Sequence, residues 1–211
     1  MQRSITATKS RRAACFAAGT LVHTKEDLKP IEQIKVGDLV LSKHESGQGE
    51  RAYKRVSKTF VHEDRAFILL SIGEMHSLAV TPEHPIWVQG KGWKKAADIK
   101  WKWPALKLEL LSQENSEVVG NHRLFVTENP GIAWVPGEGG REWHIAYGAH
   151  VDIATMIFGQ EPVLNTIYDP EKRPYVKPEH LFRANVYNIE VEDFHTYYVG
   201  EVGVWVHNKL S

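Results

Sequence analysis

Short strand-length segments recur along the first half of the chain, and polar turns separate them. β-branched and aromatic residues dominate these segments, as in Ala52 to Val61, Ala66 to Ile72 and His76 to Val80. Gly37 and Asp38 interrupt an alternating apolar and polar stretch in the manner of a hairpin turn. Regular strands with polar turns between them favour an all-β domain over a parallel α/β domain.

The end of the chain also contains short strand-length segments. Val186 to Glu192 alternates well enough for a strand, and His195 to Val199 and Val202 to Val206 are both of strand length. The last of these segments ends directly before His207 and Asn208. The sequence therefore predicts that His207 and Asn208 lie at the end of a strand.

Between about residues 101 and 180 the strand pattern weakens. Proline, glycine and tryptophan interrupt it, and only segments such as Leu106 to Leu111 and Arg123 to Thr127 have strand character. His150 to Phe158 is predicted to form one short helix. We interpret this region as an irregular insert within a single domain.

The charge of the chain gives it no preference for polyanions. Its 211 residues hold 26 Lys and Arg against 26 Asp and Glu, so the formal net charge is zero with neutral histidines. No apolar run approaches the roughly 20 residues of a membrane-spanning helix. The basic leader, residues 1–14, lacks the apolar stretch of a secretory signal. We expect a monomer with neither nucleic-acid nor membrane partners, and the cellular location stays open.

Cys15 is the only cysteine of the chain. It cannot form an internal disulfide, and one thiolate is too few for a cysteine-rich structural zinc site. Two interpretations are left, a buried inert thiol and a nucleophile. The number of cysteines alone favours the inert thiol, which is the commoner state.

A cysteine that attacks the peptide bond before it exchanges an amide for a thioester. This exchange is uphill unless the amide is strained or its nitrogen is protonated as it leaves, so an acid is needed nearby. Thr81 and His84 lie at a predicted strand-to-turn junction, from which a side chain can point inward. His84 is the candidate acid. The alternative is that it only caps a turn before Pro85.

An asparagine can cut the bond after it by cyclising, because its side-chain nitrogen attacks its own backbone carbonyl. The reaction needs a polarised carbonyl and a proton for the departing amine, and histidine suits both tasks near neutral pH. His207 precedes Asn208, and a predicted hairpin returns Asp193 and His195 to the same place. The alternative is a frayed, solvated terminus.

The insert holds a weak indication of a metal site. His144, His150 and Asp152 have suitable side chains, but their spacing follows no known ligand motif. Ordinary loop and surface residues explain them better, so we expect no metal and no cofactor.

Four motifs in order resemble those of the Hint superfamily, which contains inteins, bacterial intein-like domains and the Hedgehog autoprocessing domain. They are CFAAGTLVHT, EQIKVGDLVLS, TPEHPIWV and VYNIEVEDFHTYYVGEVGVWVHN. The chain is most similar to bacterial intein-like and pretoxin-type Hint domains. The resemblance implies the Hint fold, a flattened all-β horseshoe of mostly antiparallel strands with pseudo-twofold symmetry, here with an irregular insert. The implied domain spans residues 15–208, with an insert at about 101–180 and a flank at 209–211.

The resemblance also implies roles for individual residues. Cys15 is the nucleophile that converts the Ala14–Cys15 bond to a thioester. Thr81 and His84 match the Thr-x-x-His motif that destabilises this bond and protonates its nitrogen. Four further residues match the acidic and histidine positions near the end of the family pattern and its terminal pair, namely Asp193, His195, His207 and Asn208.

Lys209 departs from the pattern of splicing inteins. Ligation by the standard route needs Cys, Ser or Thr directly after the asparagine, and Ser211 stands two residues too far along. We therefore predict single-turnover autocatalytic cleavage rather than protein splicing. An N–S acyl shift at Cys15 leads to cleavage after Ala14, and succinimide formation at Asn208 cuts before Lys209.

Partners and alternatives follow from the same resemblance. Domains of this type lie in large secreted or surface proteins of bacteria beside toxin modules, so covalently fused flanking polypeptides are implied, including a C-terminal toxin module as in polymorphic toxins. An external thiol or water is the expected nucleophile at the thioester. Two alternatives stay open. One is a Hint-fold scaffold or interaction domain with little activity, and the other is a cysteine hydrolase that acts in trans.

Overall fold

The computed structural model describes residues 14–112, 116–135, 149–159 and 180–208. Within these ranges the chain forms β-strands and two short 3-10 helices, Ile31–Gln33 and Ala96–Asp98, and no α-helix. No helix in the described ranges is long and apolar enough to cross a membrane. The strands are β1 Phe16–Ala17, β2 Leu21–His23, β3 Leu28–Pro30, β4 Leu39–Ser42, β5 Ala52–Ala66, β6 Ile68–Ile72, β7 His76–Val80, β8 Pro85–Val88, β9 Gly92–Lys95, β10 Val118–Arg123, β11 Phe125–Val126, β12 Ile132–Val135, β13 Ala149–Asp152, β14 Phe158–Gly159, β15 Arg183–Val191, β16 Thr196–Val199 and β17 Val204–His207.

The strands form three antiparallel sheets. The largest has the order β10-β6-β7-β1-β15-β5-β4, the second β3-β2-β16-β17-β8-β9, and the smallest β11-β12-β13-β14. In the first two sheets, strands from the beginning and the end of the chain are neighbours, as in the pairs of β1 with β15 and of β2 with β16. The all-β prediction is confirmed, and antiparallel pairing explains the alternation seen in the sequence.

The link between β7 and β8 explains how the two borders of the domain come close together. β7 pairs with β1, which follows Cys15 directly, and β8 pairs with β17, which ends at His207. The link itself is residues 81–84, so Thr81 and His84 pass from one large sheet to the other. The sheet order thus places this motif between the first and last residues of the predicted domain.

The insert contributes more regular structure than its sequence suggests. β10 extends the largest sheet at β6, and β11 to β14 form the smallest sheet. The predicted helix at His150 to Phe158 is wrong, because β13 and β14 occupy this segment with a short turn between them. His150 is buried and packs on the Trp134 ring at 4.8 Å. A buried histidine on a short strand gives this segment a mixture of apolar and polar residues that resembles the pattern of a helix.

Two apolar cores lie on either side of the largest sheet. The larger core lies between the two large sheets and includes Phe16, Tyr197 and Val206. A smaller core joins Cys15 and Phe67 to residues of the insert sheet such as Val151. Cys15 therefore lies in a packed apolar interior, where a charged group is costly.

Candidate active site

A reciprocal set of hydrogen bonds holds the backbone of Cys15. Its N–H donates to Thr81 Oγ1 at 2.8 Å, and the Thr81 hydroxyl donates to the Cys15 carbonyl at 3.2 Å. The Thr81 N–H also donates to that carbonyl, at 2.9 Å. All these groups are buried. The two residues are locked together because β1 and β7 pair immediately beside them.

The carbonyl of Ala14 accepts a hydrogen bond from a buried amide. Asn188 Nδ2 donates to this oxygen at 2.7 Å. Asn188 Oδ1 accepts in turn from the Tyr197 hydroxyl at 2.7 Å and from the Ile189 N–H at 2.8 Å, so the orientation of the amide is fixed. Sequence reasoning missed Asn188. The available signal was an amide on the same strand face as the core residue Val186, where an apolar side chain is usual.

His84 lies between the two borders of the domain. Its ring is fully buried and packs on Phe16 at 4.1 Å between ring centres. Burial, and to a smaller extent the charge of His207, lower the pKa of His84 to about 3, while the Ala14 backbone opposes the shift. Among the described residues, neither ring nitrogen makes a hydrogen bond of good geometry. His84 is therefore a neutral imidazole close enough to Ala14 and to His207 for both to affect its pKa.

The Cys15 thiol is protonated in this interior. Burial raises its pKa to about 12, and the Arg65 guanidinium opposes that shift. The sulfur is fully shielded from solvent. Any attack by this sulfur must therefore be coupled to removal of its proton.

The C-terminal border is built around a buried Asn208. Its N–H donates to the His195 carbonyl at 2.9 Å, which continues the pairing of β16 with β17 past His207. The side-chain nitrogen, Nδ2, is buried and has no hydrogen-bond partner among the described residues. A buried amide nitrogen without a partner is costly and is uncommon in folded proteins. This nitrogen is the atom that cyclisation uses.

His207 contacts a carboxylate that sequence reasoning missed. Its Nε2 lies 2.6 Å from Glu45 Oε2, and the Trp93 ring stands perpendicular to it at 5.1 Å. Glu45 belongs to the loop between β4 and β5, residues 43–51, which the sequence shows only as a polar and glycine-rich segment. No local pattern relates it to a residue more than 160 positions away.

Asp193 and His195 lie in the tight turn between β15 and β16. Both are exposed and have positive φ, 61° and 54°. Asp193 pairs with Lys54 at 2.8 Å, and this hydrogen bond and the charge of Lys54 lower the pKa of the carboxyl. His195 reaches Asn208 through its backbone carbonyl. The fold thus places the carboxylate of Asp193 at the surface and brings the backbone of His195 to the site.

The described structure brings together most of the predicted residues. Cys15, Thr81 and His84 surround the first border, and His207 and Asn208 form the second, with His84 near enough to His207 to sense its charge. Lys209 and Ser211 lie outside the described residues, as do the leader before Ala14 and His144. Within the described ranges, no group of three His, Cys, Asp or Glu side chains has the geometry to hold a metal ion.

Comparisons with known proteins agree with this architecture. Residues 21–132, more than half of the chain, match the family model described as the pretoxin HINT domain. The solution structure of a bacterial intein-like domain from Clostridium thermocellum is 24% identical and superimposes with a TM-score of 0.53, covering 93% of this chain and 99% of that one. The crystal structure of the gp41-1 intein is 15% identical, with the same TM-score and the same two coverages. Among curated proteins, none matches significantly. The predicted Hint fold is confirmed.

Proposed function

The chain belongs to the pretoxin Hint domain family, and we propose that it is a self-acting domain that cuts its own backbone after Ala14 and after Asn208. The observation that carries this proposal is the setting of the Ala14–Cys15 peptide bond. The buried Asn188 amide donates to its carbonyl, and the Thr81 hydroxyl accepts from its N–H. These contacts support a polarised Ala14–Cys15 peptide bond that is held in a fixed position beside the Cys15 thiol.

The first reaction in this proposal is an N–S acyl shift. Cys15 Sγ attacks the Ala14 carbonyl carbon, a C–S bond forms and the C–N bond breaks, so an amide becomes a thioester with no atoms gained or lost. The thiol proton passes to His84 and from there to the departing nitrogen. A neutral imidazole suits this relay, because it has one basic nitrogen and one N–H. The low pKa of His84, about 3, keeps it neutral beforehand.

Asn188 stabilises the charge that develops during this attack. As the carbonyl carbon becomes tetrahedral, its oxygen takes up negative charge, and a fixed donor 2.7 Å away strengthens its hydrogen bond. Tyr197 holds the donor in place. Such preorganised donors contribute about 100-fold to 1000-fold to acyl-transfer rates.

The second reaction is cyclisation of Asn208. Its Nδ2 attacks its own carbonyl carbon, a C–N bond to the ring forms, and the bond to the Lys209 nitrogen breaks. One proton leaves Nδ2 and one reaches the Lys209 amine, so no water is consumed. The buried and unpartnered state of Nδ2 supports this role, since no hydrogen bond in the described residues holds it back. In this scheme His207 supplies the proton, and Asp193 and His195 position the turn whose carbonyl holds the Asn208 backbone.

The expected products are separate fragments rather than a ligated chain. The residue after Asn208 is Lys209, which has no side-chain hydroxyl or thiol to accept the thioester. A free thiol or water then releases the upstream flank from Cys15. In a parent protein of the pretoxin type, the second cut would free a downstream toxin module.

Tagged precursors test this proposal. The full chain is expressed between an N-terminal and a C-terminal tag, and the products are followed by mass spectrometry with and without added thiol. We expect fragments that end at Ala14 and at Asn208, with Cys15→Ala abolishing only the first cut and Asn208→Ala only the second. A precursor that stays intact in thiol contradicts the proposal and favours an inactive scaffold.

The burial of the thiol weighs against a cysteine hydrolase acting in trans. Cys15 has no exposed surface, and the smaller core covers it. An external peptide needs an open path to the nucleophile. Thiol-dependent turnover of an added ester or peptide by the wild-type chain, lost in Cys15→Ala, would revive this alternative.

A further inference from the structure

The loop between β4 and β5 contacts the C-terminal site, although it is distant from both borders along the chain. Glu45 lies near its start and reaches His207 at 2.6 Å. We propose that Glu45 is a positioning residue that holds His207 by its Nε2 and favours its protonated form, so that Nδ1 exchanges the proton needed at Asn208. This inference rests on the proposed cyclisation of Asn208.

The backbone of the loop is fixed just before Glu45 and at Glu45 itself, so the contact is built into the fold. Before it, the Lys43 N–H donates to Thr196 Oγ1 at 3.3 Å, and the Thr196 hydroxyl donates to the Lys43 carbonyl. At Glu45 itself, Trp93 Nε1 donates to the backbone carbonyl at 2.9 Å. A carboxylate on so restrained a backbone loses little conformational freedom when it binds a histidine.

A glycine lets the loop lie against the aromatic cluster beneath it. A Cβ built on Gly47, which has φ of 81°, would lie only 3.0 Å from the Trp87 ring. Trp87, Trp93 and Trp205 contact one another with ring centres 4.7 to 5.1 Å apart. The loop therefore rests on the same aromatic surface that flanks the His207 ring.

The charges around His207 act in a definite direction. The hydrogen bond to His207 lowers the pKa of Glu45, and the charges of His207, His195 and His44 add to this effect. Glu45 is thus a carboxylate at neutral pH, and an adjacent carboxylate favours the protonated imidazole. His84 lies near His207, in the β7–β8 link, but its neutral imidazole adds no positive charge there, and Lys43 lies over Trp205 with its ammonium 5.1 Å from the ring centre. Among these groups, the direct hydrogen bond to Glu45 is the contact that a substitution can remove most cleanly.

The contact between Glu45 and His207 bears on the proton transfer that the proposed cyclisation of Asn208 requires. The departing Lys209 amine must gain a proton, and a histidine that is protonated near neutral pH can donate it. Glu45 does not touch the reacting atoms, so its effect passes through His207. Glu45→Gln keeps the size and one hydrogen-bonding oxygen but removes the charge.

The test compares Glu45→Gln with Glu50→Gln in the tagged full chain, over a range of pH. Glu50 lies in the same loop and is exposed. We expect Glu45→Gln to slow cleavage after Asn208 about 10-fold at pH 7.5 and to shift its pH profile about one unit toward acid. Glu45→Asp should recover part of the rate, and Glu50→Gln should match the wild type. Thiol-induced release at Cys15, measured in the same samples, reports whether each variant is folded.

A second measurement keeps the inference separate from the proposed cleavage. In the Asn208→Ala chain, kept free of added thiol so that the second cut is blocked and the first is not induced, NMR follows the titration of the His207 ring with and without Glu45→Gln. We expect the titration of His207 to move about one pH unit toward acid when the carboxylate is lost. If wild-type cleavage fails while this shift is seen, the proposed function falls and the placement of Glu45 stands. An unchanged His207 titration, or an unchanged rate and pH profile of cleavage in Glu45→Gln, overturns the inference.

Discussion

The two borders of this domain use different physical chemistry. At the N-terminal border, Cys15, Asn188 and His84 are buried, and all are neutral at neutral pH. At the C-terminal border, His207 is paired with the partly exposed carboxylate of Glu45. The first site has fixed hydrogen bonds in an apolar interior, whereas the second contains a histidine–carboxylate hydrogen bond that solvent can reach.

This difference indicates which conditions each reaction should respond to. Buried neutral groups change their protonation far from neutral pH, so the first cut should depend mainly on the supply of an external thiol. The second cut as proposed uses a histidine as its proton donor, and histidine is the side chain whose ordinary charge change lies closest to physiological pH, so we expect this cut to depend on pH. His84 lies between them, and its pKa responds to groups at both borders, Ala14 and His207.

The largest expected effect separates the two borders completely. Cys15→Ala removes the nucleophile, so cleavage after Ala14 should be lost, whereas cleavage after Asn208 should stay within about threefold of the wild type, because the second reaction uses no thiol. Quantitative mass spectrometry of both fragments measures this. Loss of both cuts in Cys15→Ala would mean that the borders act as one coupled site.

Asn188→Ala should slow the first cut about 100-fold and the second much less. The substitution removes the hydrogen-bond donor to the Ala14 carbonyl. One such donor in a buried site accelerates acyl transfer by about this factor. Thiol-induced release of the upstream flank gives the rate. Tyr197→Phe is the matched control, because it removes only one of the two groups that orient the amide, and it should slow the first cut less than Asn188→Ala does. Equal rates in Asn188→Ala and the wild type would contradict the role of the amide.

His84 should make folding stability depend on pH. In the unfolded chain it gains a proton near pH 6.5, but in the folded chain only near pH 3, so acid between these values stabilises the unfolded state. The wild type should therefore lose up to ~1.4 kcal/mol of stability per pH unit from this group as the pH falls from 6.5 to 3. Denaturant unfolding of uncut chains measures it. His84→Leu should show a shallower decline with acid, and an identical slope would contradict the buried neutral state.

The smallest expected effect concerns Asp193. Its exposed carboxylate pairs with Lys54 at the surface, and solvent-exposed pairs of this kind contribute little to stability. Asp193→Asn should slow cleavage after Asn208 only about twofold to fivefold, by loosening the turn that holds the Asn208 backbone. Lys54→Met should have a similar effect. A loss above 100-fold in Asp193→Asn alone would show that the carboxylate takes part in the chemistry directly.

The sequence predicted the fold where local patterns repeat. Alternation in segments such as Leu39–Ser42 and His76–Val80 predicts strands, and the ordered motifs identify the Hint fold that the structure has. The insert was predicted less well. Its strands β13 and β14 are short and its inward residues include His150, so their alternation resembles that of a short helix.

The site residues also fall into those that local sequence motifs predict and those that they do not. Residues in compact motifs, such as Thr81 and His84, could be named from the sequence because they lie a few positions apart. Asn188 and Glu45 could not, since their roles come from contacts across 174 and 162 positions of the chain. Asp193 is an acidic residue close in sequence to the C-terminal site, as the family pattern requires. The conformation of its turn, however, directs the carboxylate to Lys54 at the surface. Side-chain direction in a tight turn is set by backbone conformation, which residue type alone does not specify.

The mass of the fragment that ends at Asn208 tests the central claim most directly. Cyclisation leaves a succinimide, which is one water lighter than the carboxylic acid that ordinary hydrolysis produces. Incubation of the tagged precursor with thiol, followed by intact-mass measurement before the ring can open, distinguishes the two. We predict the lighter species, together with an upstream fragment that ends at Ala14 as a thioester of the added thiol. A precursor that stays whole, or fragments with only hydrolysed ends that persist in Cys15→Ala and Asn208→Ala, would contradict the account.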